Sequence, residues 1–259
     1  MLESFKNYLM EHERSENTIM VYLVAIEQYI KINNDDFSKM TLIKYKNYLK
    51  RTYAVNTVNL KILALNRYMQ YSGINQHLDY IRVHKVASLE NVITLSEYYN
   101  LLDGLSSVGD YYHYYMVRLL GETGCRVSEL LQISCNDIKK GYAELFTKYK
   151  YRRLFIPRKL QVDLISYIVE NNITGTLFHY SRQNVYRLLK RFARNFGISE
   201  KVVYPHSFRH MFAIEFLKRN KDISLLSNIL GHESIATTQI YLKLSFDEQM
   251  SRLNQTVDW

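Results

Sequence analysis

The sequence predicts a mainly α-helical protein of two domains, the second of which carries one small antiparallel β-sheet. Three observations favour this fold class. Apolar residues recur at helical spacing through the first 80 residues, a helical pattern returns after Pro157, and two short strand-like segments lie between these regions. A chain of 259 residues is long enough to bury a core in each of two domains.

The first domain, residues 1–82, is predicted to be a helical bundle. Ser15-Glu-Asn17-Thr18 offers caps for a helix over 18–32, and further helices are expected over about 41–50 and 56–71, the last stopped by Ser72-Gly73. Cationic residues are frequent within and between these helices. The bundle is therefore either an ordinary solvated bundle or one whose cationic side holds a phosphate backbone.

Residues 83–91 are taken as a linker, because this part of the chain shows no clear period. The second domain spans 92–259. Thr94-Leu-Ser96-Glu97 has the pattern of a capping box and opens its first helix. Residues 111–131 are interpreted as two helices broken at Gly121-Glu-Thr-Gly124.

The small sheet is predicted from two strand-like segments, Ala143–Lys148 and Arg153–Pro157. A cationic turn, Tyr149-Lys150-Tyr151-Arg152, is placed between them. Beyond Pro157 the pattern is helical to the end of the chain. The second domain is thus expected to be mainly helical with one hairpin.

Composition favours a polyanionic partner and a cytoplasmic protein. Lys plus Arg number 34 against 25 Asp plus Glu, a net charge of +9, which suits nucleic acid, although a lysine-rich surface alone would give the same balance. Two cysteines, Cys125 and Cys135, are too few for a disulfide framework. The sequence predicts neither a signal peptide nor a membrane span.

A short segment after Pro205 concentrates titratable groups. On a helix, His206, Arg209 and His210 stand at i, i+3 and i+4 and share one face. One alternative is a histidine pair satisfied inside a core. Another is a zinc site completed by His232, although an arginine among the ligands would oppose the metal and the glutamate of a zinc protease is missing.

The segment from Asp222 to Leu244 is interpreted as helix, Gly231 turn, helix. This pattern also fits a helix-turn-helix, and so a non-catalytic DNA-binding regulator. That alternative explains neither His232 in the turn nor Arg126 within Gly-Cys-Arg-Val-Ser-Glu.

Four segments together resemble the signature of the tyrosine recombinases, the phage integrase family, and compact members such as the Xer recombinases. They are Thr123-Gly-Cys-Arg126-Val-Ser-Glu129-Leu, His206-Ser-Phe-Arg209-His210, Leu230-Gly231-His232 and Tyr241, in the family's order and spacing. The resemblance implies an N-terminal SAM-like core-binding domain, a C-terminal catalytic domain, double-stranded DNA as substrate, and a homotetramer on two DNA sites. It implies no cofactor or metal, and the sequence contains no Walker motif or dinucleotide fingerprint.

The resemblance also implies roles for individual residues. Tyr241 would attack the scissile phosphate and form a 3′-phosphotyrosine, while Arg126 and Arg209 hold the non-bridging oxygens. His232 would donate a further hydrogen bond, and His206 would accept or relay the tyrosine proton. Two residues would support them: Glu129 would hold the guanidinium of Arg126 in register, and His210 would brace the helix.

The family's general acid is a lysine on the β-hairpin. Here the usual glycine-rich turn is absent, and two lysines are available: Lys148 is the first choice and Lys150 the alternative. A hairpin with this many cations could equally be a plain phosphate clamp. An enzyme similar to type IB topoisomerases, which nicks and closes DNA without pairing two sites, is a further alternative.

Overall fold

The computed structural model describes residues 2–82, 91–147, 150–231, 238, 240–242, 254 and 257. The chain divides into two compact units, Met1–Val86 and Ala87–Trp259. The described residues are mostly helical and include one two-stranded antiparallel sheet, so the predicted fold class is confirmed. The exact domain bounds stay a prediction, because residues 83–90 lie outside the described part of the chain.

Four helices form the first unit: α1 Leu2–Glu11, α2 Glu16–Asn33, α3 Lys39–Thr52 and α4 Val55–Tyr71. Ser15 caps α2 by accepting a hydrogen bond from the Thr18 N–H at 3.3 Å. The three predicted helices are confirmed to within two residues at each end, and α1 is a further helix that was not predicted. Aromatic rings fill the core, where Phe5, Tyr29 and Tyr68 are fully buried.

The second unit contains the remaining elements that the structure describes. These are α5 Leu95–Ser107, α6 Tyr111–Thr123, α7 Val127–Leu130, α8 Cys135–Lys140, β1 Tyr142–Thr147, β2 Lys150–Phe155, α9 Arg158–Glu170, α10 Arg182–Asn195, α11 Pro205–Arg219, α12 Ile223–Leu230 and a 3₁₀ turn Ile240–Leu242. The predicted capping box opens α5, since Thr94 Oγ1 and Glu97 Oε2 accept hydrogen bonds from each other's N–H groups at 3.2 and 2.8 Å. Across the described residues, no helix is long and apolar enough to cross a bilayer.

The break after α6 lies later than the sequence predicted. Helix α6 continues through Gly121, and Gly124 ends it with φ +61°, a left-handed conformation suited to glycine. Gly121 serves packing instead, because a Cβ there would lie 2.5 Å from the ring of Tyr98. The predicted break at 121–124 was therefore correct only at its last residue.

The hairpin also differs from the prediction. The register pairs Thr147 with Lys150, so β2 begins at Lys150 and the expected turn Tyr149–Arg152 is wrong. Side chains alternate between the faces of a strand. Tyr151 is accordingly 84% exposed and the Arg153 side chain 62% exposed, whereas the side chain of Arg152 is only 8% exposed.

Helix α11 lies at the centre of the second unit, in contact with α6, α10, α12 and the 3₁₀ turn. Pro205 occupies its first turn, where a missing N–H costs nothing. Phe208 is fully buried, and the Ser207 hydroxyl accepts a hydrogen bond from the Ile93 N–H at 2.7 Å. These contacts fix the first turns of α11, which carry the His206 segment.

Candidate active site

Arg209 is held by two backbone carbonyls. Its Nη1 donates to Gly124 O at 2.8 Å and its Nη2 to Leu230 O at 2.7 Å, and the residue is 3% exposed. Gly124 closes α6 and Leu230 is the last residue of α12, so both carbonyls belong to the negative ends of helices. The guanidinium is thereby fixed where three elements meet.

Arg126 and Glu129 form a pair at the start of α7. Arg126 Nη1 donates to Glu129 Oε1 at 2.8 Å, and the Arg126 N–H donates to Glu129 Oε2 at 2.7 Å. A further, longer hydrogen bond joins Arg126 Nη2 to Gly231 O at 3.4 Å. The Glu129 side chain is fully buried and that of Arg126 is 35% exposed, so the Arg126 side chain remains partly open to solvent.

Arg152 is a member of this cluster that the sequence analysis missed. Its Nη1 donates to Glu129 Oε1 at 2.5 Å and its Nη2 to Ile229 O at 2.7 Å. Its buried Nε has no hydrogen-bond partner among the described residues. Leu154, two positions later, is also fully buried, and continuing this alternation back along the strand would have predicted the inward position.

The cluster carries an excess of positive charge. Two guanidinium groups, those of Arg126 and Arg152, donate to the Glu129 carboxylate, and the charge of Glu129 also acts on a third, that of Arg209. Burial, together with the positive charges of Arg126 and Arg152, lowers the pKa of Arg209 to about 10. Burial also lowers the pKa of Arg152, although Glu129 opposes this shift. An anion bound here would relieve the like-charge repulsion.

Tyr241 lies on the 3₁₀ turn and packs within a small apolar cluster, where it is 8% exposed. Its Oη is 2.9 Å from Nδ1 of His210. Burial raises the pKa of Tyr241, while the charges of Arg209 and Arg126 act in the opposite direction. Burial, assisted by His206 and Arg209, lowers the pKa of His210. At neutral pH the pair is therefore a phenol beside an uncharged imidazole.

His206 lies one turn earlier on α11 and is exposed. Although part of the residue is open to solvent, desolvation by the surrounding protein lowers the pKa of His206, and so do the nearby charges of Arg209 and Arg126. The resemblance implies that His206 accepts or relays the tyrosine proton and that His210 braces the helix, whereas the Tyr241 hydroxyl contacts His210 in the structure. The reason is that the 3₁₀ turn packs against α11 beside His210, one turn further along the helix.

Some expected site residues lie outside the described residues. These are Lys148 and His232, and for Lys150 only its place at the start of β2 is described. The zinc alternative needed His232. Among the residues that the structure does describe, no group of three His, Cys, Asp or Glu side chains could hold a metal.

The family model described as the phage integrase family matches residues 91–248. The chain belongs to the phage integrase family. The recombinase is 29% identical over 262 residues to the tyrosine recombinase XerA of Pyrococcus furiosus, with 95% of the chain and 90% of the relative covered. It is 24% identical to the TnP I resolvase of Bacillus thuringiensis, with 92% and 93% covered.

Solved structures share the fold of the recombinase. A crystal structure of XerA recombinase matches with a TM-score of 0.55 at 25% identity, covering 100% of this chain and 98% of that one. A lambda integrase dimer bound to a core site matches with a TM-score of 0.72 at 19% identity, covering 93% and 94%. The resemblance to tyrosine recombinases is thus confirmed, and the protein is a site-specific DNA recombinase.

Proposed function

We propose that Tyr241 cleaves and rejoins double-stranded DNA. Its Oη forms a bond to the scissile phosphorus as the bond to the 5′ oxygen breaks, leaving a 3′-phosphotyrosyl enzyme and a free 5′-hydroxyl. Reversal by another 5′-hydroxyl rejoins the strand and releases the tyrosine. The observation that carries this proposal is the placing of one buried tyrosine hydroxyl against His210 in the field of two arginines.

Arg126 and Arg209 are the proposed phosphate cradle. Planar guanidinium forks match the non-bridging oxygens of a phosphate, and their charge opposes the extra negative charge of the phosphorane. Arg209 is already fixed by Gly124 O and Leu230 O, so it needs no reorganisation during the reaction. The uncompensated charge of the cluster and the lowered pKa of Arg209 both favour an anion at this position.

His210 is the proposed acceptor of the tyrosine proton. Because the pKa of Tyr241 is raised by burial, its hydroxyl stays protonated at neutral pH and needs a base within reach. The uncharged imidazole of His210 is at hydrogen-bond distance, at 2.9 Å. His206, which is exposed, is then available to contact the phosphate itself.

The remaining groups rest on the resemblance alone. Lys148, or Lys150 in its place, would protonate the leaving 5′ oxygen, and His232 would donate to a non-bridging oxygen. The homotetramer on two DNA sites, the core-binding role of the first unit and the cytoplasmic location stay predictions as well.

Helix α10 is the proposed contact to the DNA backbone in the second unit. One face buries Val185, Leu189 and Phe192, and the exposed arginines include Arg187 and Arg191. Exposed guanidinium groups along one helix suit consecutive phosphates and release condensed counterions on binding.

Trapping of a covalent protein–DNA adduct tests the proposal. A supercoiled plasmid carrying the inverted repeats beside the encoding gene is incubated with the protein, and a plasmid without them serves as the comparison. We expect an adduct and recombinant products only with the repeats, whereas a type IB topoisomerase would relax both plasmids and a regulator would give no adduct.

Two variants assign the nucleophile. Tyr241→Phe should abolish the adduct while keeping DNA binding, and Tyr115→Phe, a half-buried tyrosine elsewhere in the same unit, should form it normally. An adduct that persists in Tyr241→Phe would exclude Tyr241 as the nucleophile.

A further inference from the structure

The side chain of Arg152 is buried, although arginine side chains are mostly exposed in folded proteins. Its neighbour on β2, Arg153, is 62% exposed and pairs with the equally solvated Glu144 at 3.2 Å, a surface ion pair of small energetic value. The side chain of Arg152 faces inward and is 8% exposed. Burying a guanidinium is costly unless it is paired, so its partners indicate what it does.

Those partners connect Arg152 to Arg126. Both guanidinium groups donate to the same oxygen, Glu129 Oε1, at 2.5 and 2.8 Å. They also donate to two carbonyls of one short segment, Arg152 to Ile229 O and Arg126 to Gly231 O. The strand, the start of α7 and the end of α12 are therefore joined through one carboxylate and two arginines.

Gly231 shows how closely the chain passes over Arg152. A Cβ at Gly231 would lie 2.4 Å from Cδ of Arg152, and the backbone there has φ +62°. Glycine therefore meets two demands at once, the close approach and the left-handed conformation. The side chain of Arg152 is packed directly beneath the turn whose carbonyl receives Arg126.

We propose that Arg152 is a positioning residue of the DNA cleavage reaction, acting through Glu129 on Arg126. This inference rests on the proposed function. A carboxylate paired with Arg126 alone would neutralise that guanidinium and draw it away from a phosphate. Because Glu129 is also paired with Arg152, the charge of Arg152 offsets that of the carboxylate. The Arg126 guanidinium therefore keeps a net positive charge for the substrate phosphate.

This charge balance predicts an effect on the cleavage rate rather than on DNA affinity. Arg152 is buried behind Glu129 and Arg126, so its loss should weaken stabilisation of the phosphorane more than binding of DNA in the ground state. The rate of cleavage at saturating DNA should therefore fall while the dissociation constant changes little.

The test is single-turnover adduct formation by the full chain at saturating DNA, with affinity measured separately. We expect Arg152→Met to cleave about 10- to 100-fold more slowly, within the range for loss of one preorganised charged donor. The matched control is Arg153→Met, which removes the same charge from the next position of the strand and should keep its cleavage rate within about threefold.

A double-mutant cycle separates positioning from mere stability. If Arg152 acts through Glu129 on Arg126, then Arg152→Met should slow an Arg126→Lys enzyme by about threefold or less, since the group it positions is already lost. A purely structural role would slow both backgrounds by the same factor. That outcome, or wild-type cleavage by a folded Arg152→Met, would overturn the inference.

A second variant covers failure to fold. Arg152→Lys keeps the charge, but its single ammonium cannot reproduce the fork to Glu129 and Ile229. We therefore expect a folded protein with slowed cleavage, and wild-type cleavage by this variant would also overturn the inference.

The proposed function and the role of Arg152 can be contradicted separately. An adduct in Tyr241→Phe removes the proposed function, whereas an adduct lost in Tyr241→Phe but formed normally by Arg152→Met removes only the role of Arg152.

Discussion

Nδ1 of His210 lies 2.9 Å from Oη of Tyr241, and the buried Arg209 immediately precedes that histidine on α11. Under the proposed function, one turn of one helix would therefore supply both a neutral base for the phenol and a fixed charge for a phosphate. The two groups differ in environment, since Arg209 is bound by carbonyls and His210 by the tyrosine. The proposal thus assigns proton transfer and charge stabilisation to adjacent residues.

Cleavage should depend on pH through His210. The imidazole must be uncharged to accept the tyrosine proton, and its pKa is lowered from 6.5 by burial, His206 and Arg209. The single-turnover rate is therefore expected to be level at neutral pH and to fall only as the pH drops below 6.5, through the lowered pKa.

Two variants show which histidine causes this fall in the cleavage rate at low pH. His210→Gln should cleave more slowly and its rate should no longer fall at low pH, whereas the rate of His206→Gln should still fall, whatever its absolute value. If the fall is lost in His206→Gln and kept in His210→Gln, His206 is the base.

Gly124 should be sensitive to substitution in both stability and cleavage. A Cβ at this position would lie 2.7 Å from the ring of Phe212, and φ is +61°. We expect Gly124→Ala to lower the free energy of unfolding by about 2 to 4 kcal/mol, from backbone strain and overpacking together. Cleavage should slow as well, because Gly124 O receives Arg209. Urea unfolding and adduct formation measure the two effects.

The control for this substitution is Gly109→Ala. Gly109 has a similar φ of +71° but open space where the Cβ would stand, so only the backbone cost of about 1 kcal/mol is expected. Equal losses at the two glycines would mean that the contact with Phe212 is unimportant.

Helix α10 should contribute to the salt dependence of DNA binding. Replacing the exposed Arg187 and Arg191 by glutamine should weaken binding, and should reduce the slope of log K against log salt by about 2 if each contacts one phosphate. The measurement is a titration at several salt concentrations with non-specific duplex DNA.

A charge-matched pair on α9 provides the comparison. Arg158 and Lys159 are exposed, so changing both to glutamine removes the same net charge from another helix. We expect this double variant to show little change in the slope of log K against log salt. Similar reductions for the two pairs would show that overall charge, rather than the arginine face of α10, determines the binding.

The sequence predicts most of the helices because their signals are local. Thr94 and Glu97 form a capping box within four residues, and Pro205 marks the start of α11 without reference to the rest of the chain. Arg126, Arg209 and Tyr241 were found through their resemblance to a family signature.

The errors came from contacts that no local pattern encodes. Gly121 was predicted to break a helix, but it lies within α6, where the absence of a side chain leaves room for the ring of Tyr98. Arg152 was predicted to lie in a turn between two strands, whereas it lies on β2 and its partners Glu129 and Ile229 come from distant segments. Which histidine meets the Tyr241 hydroxyl also depends on where the 3₁₀ turn packs, and the catalytic role of His206 stays a prediction.

Arg209 caps the carboxyl ends of two helices and also belongs to the proposed phosphate cradle. Gly124 O and Leu230 O would both be left without their buried donor if the guanidinium were removed. Loss of activity in an Arg209 variant would therefore combine two effects, damage to the ends of two helices and loss of the positive charge, and the cleavage rate alone would not separate them. Separating the two effects requires substitutions at residues that do not cap a helix end, such as Tyr241 and His210.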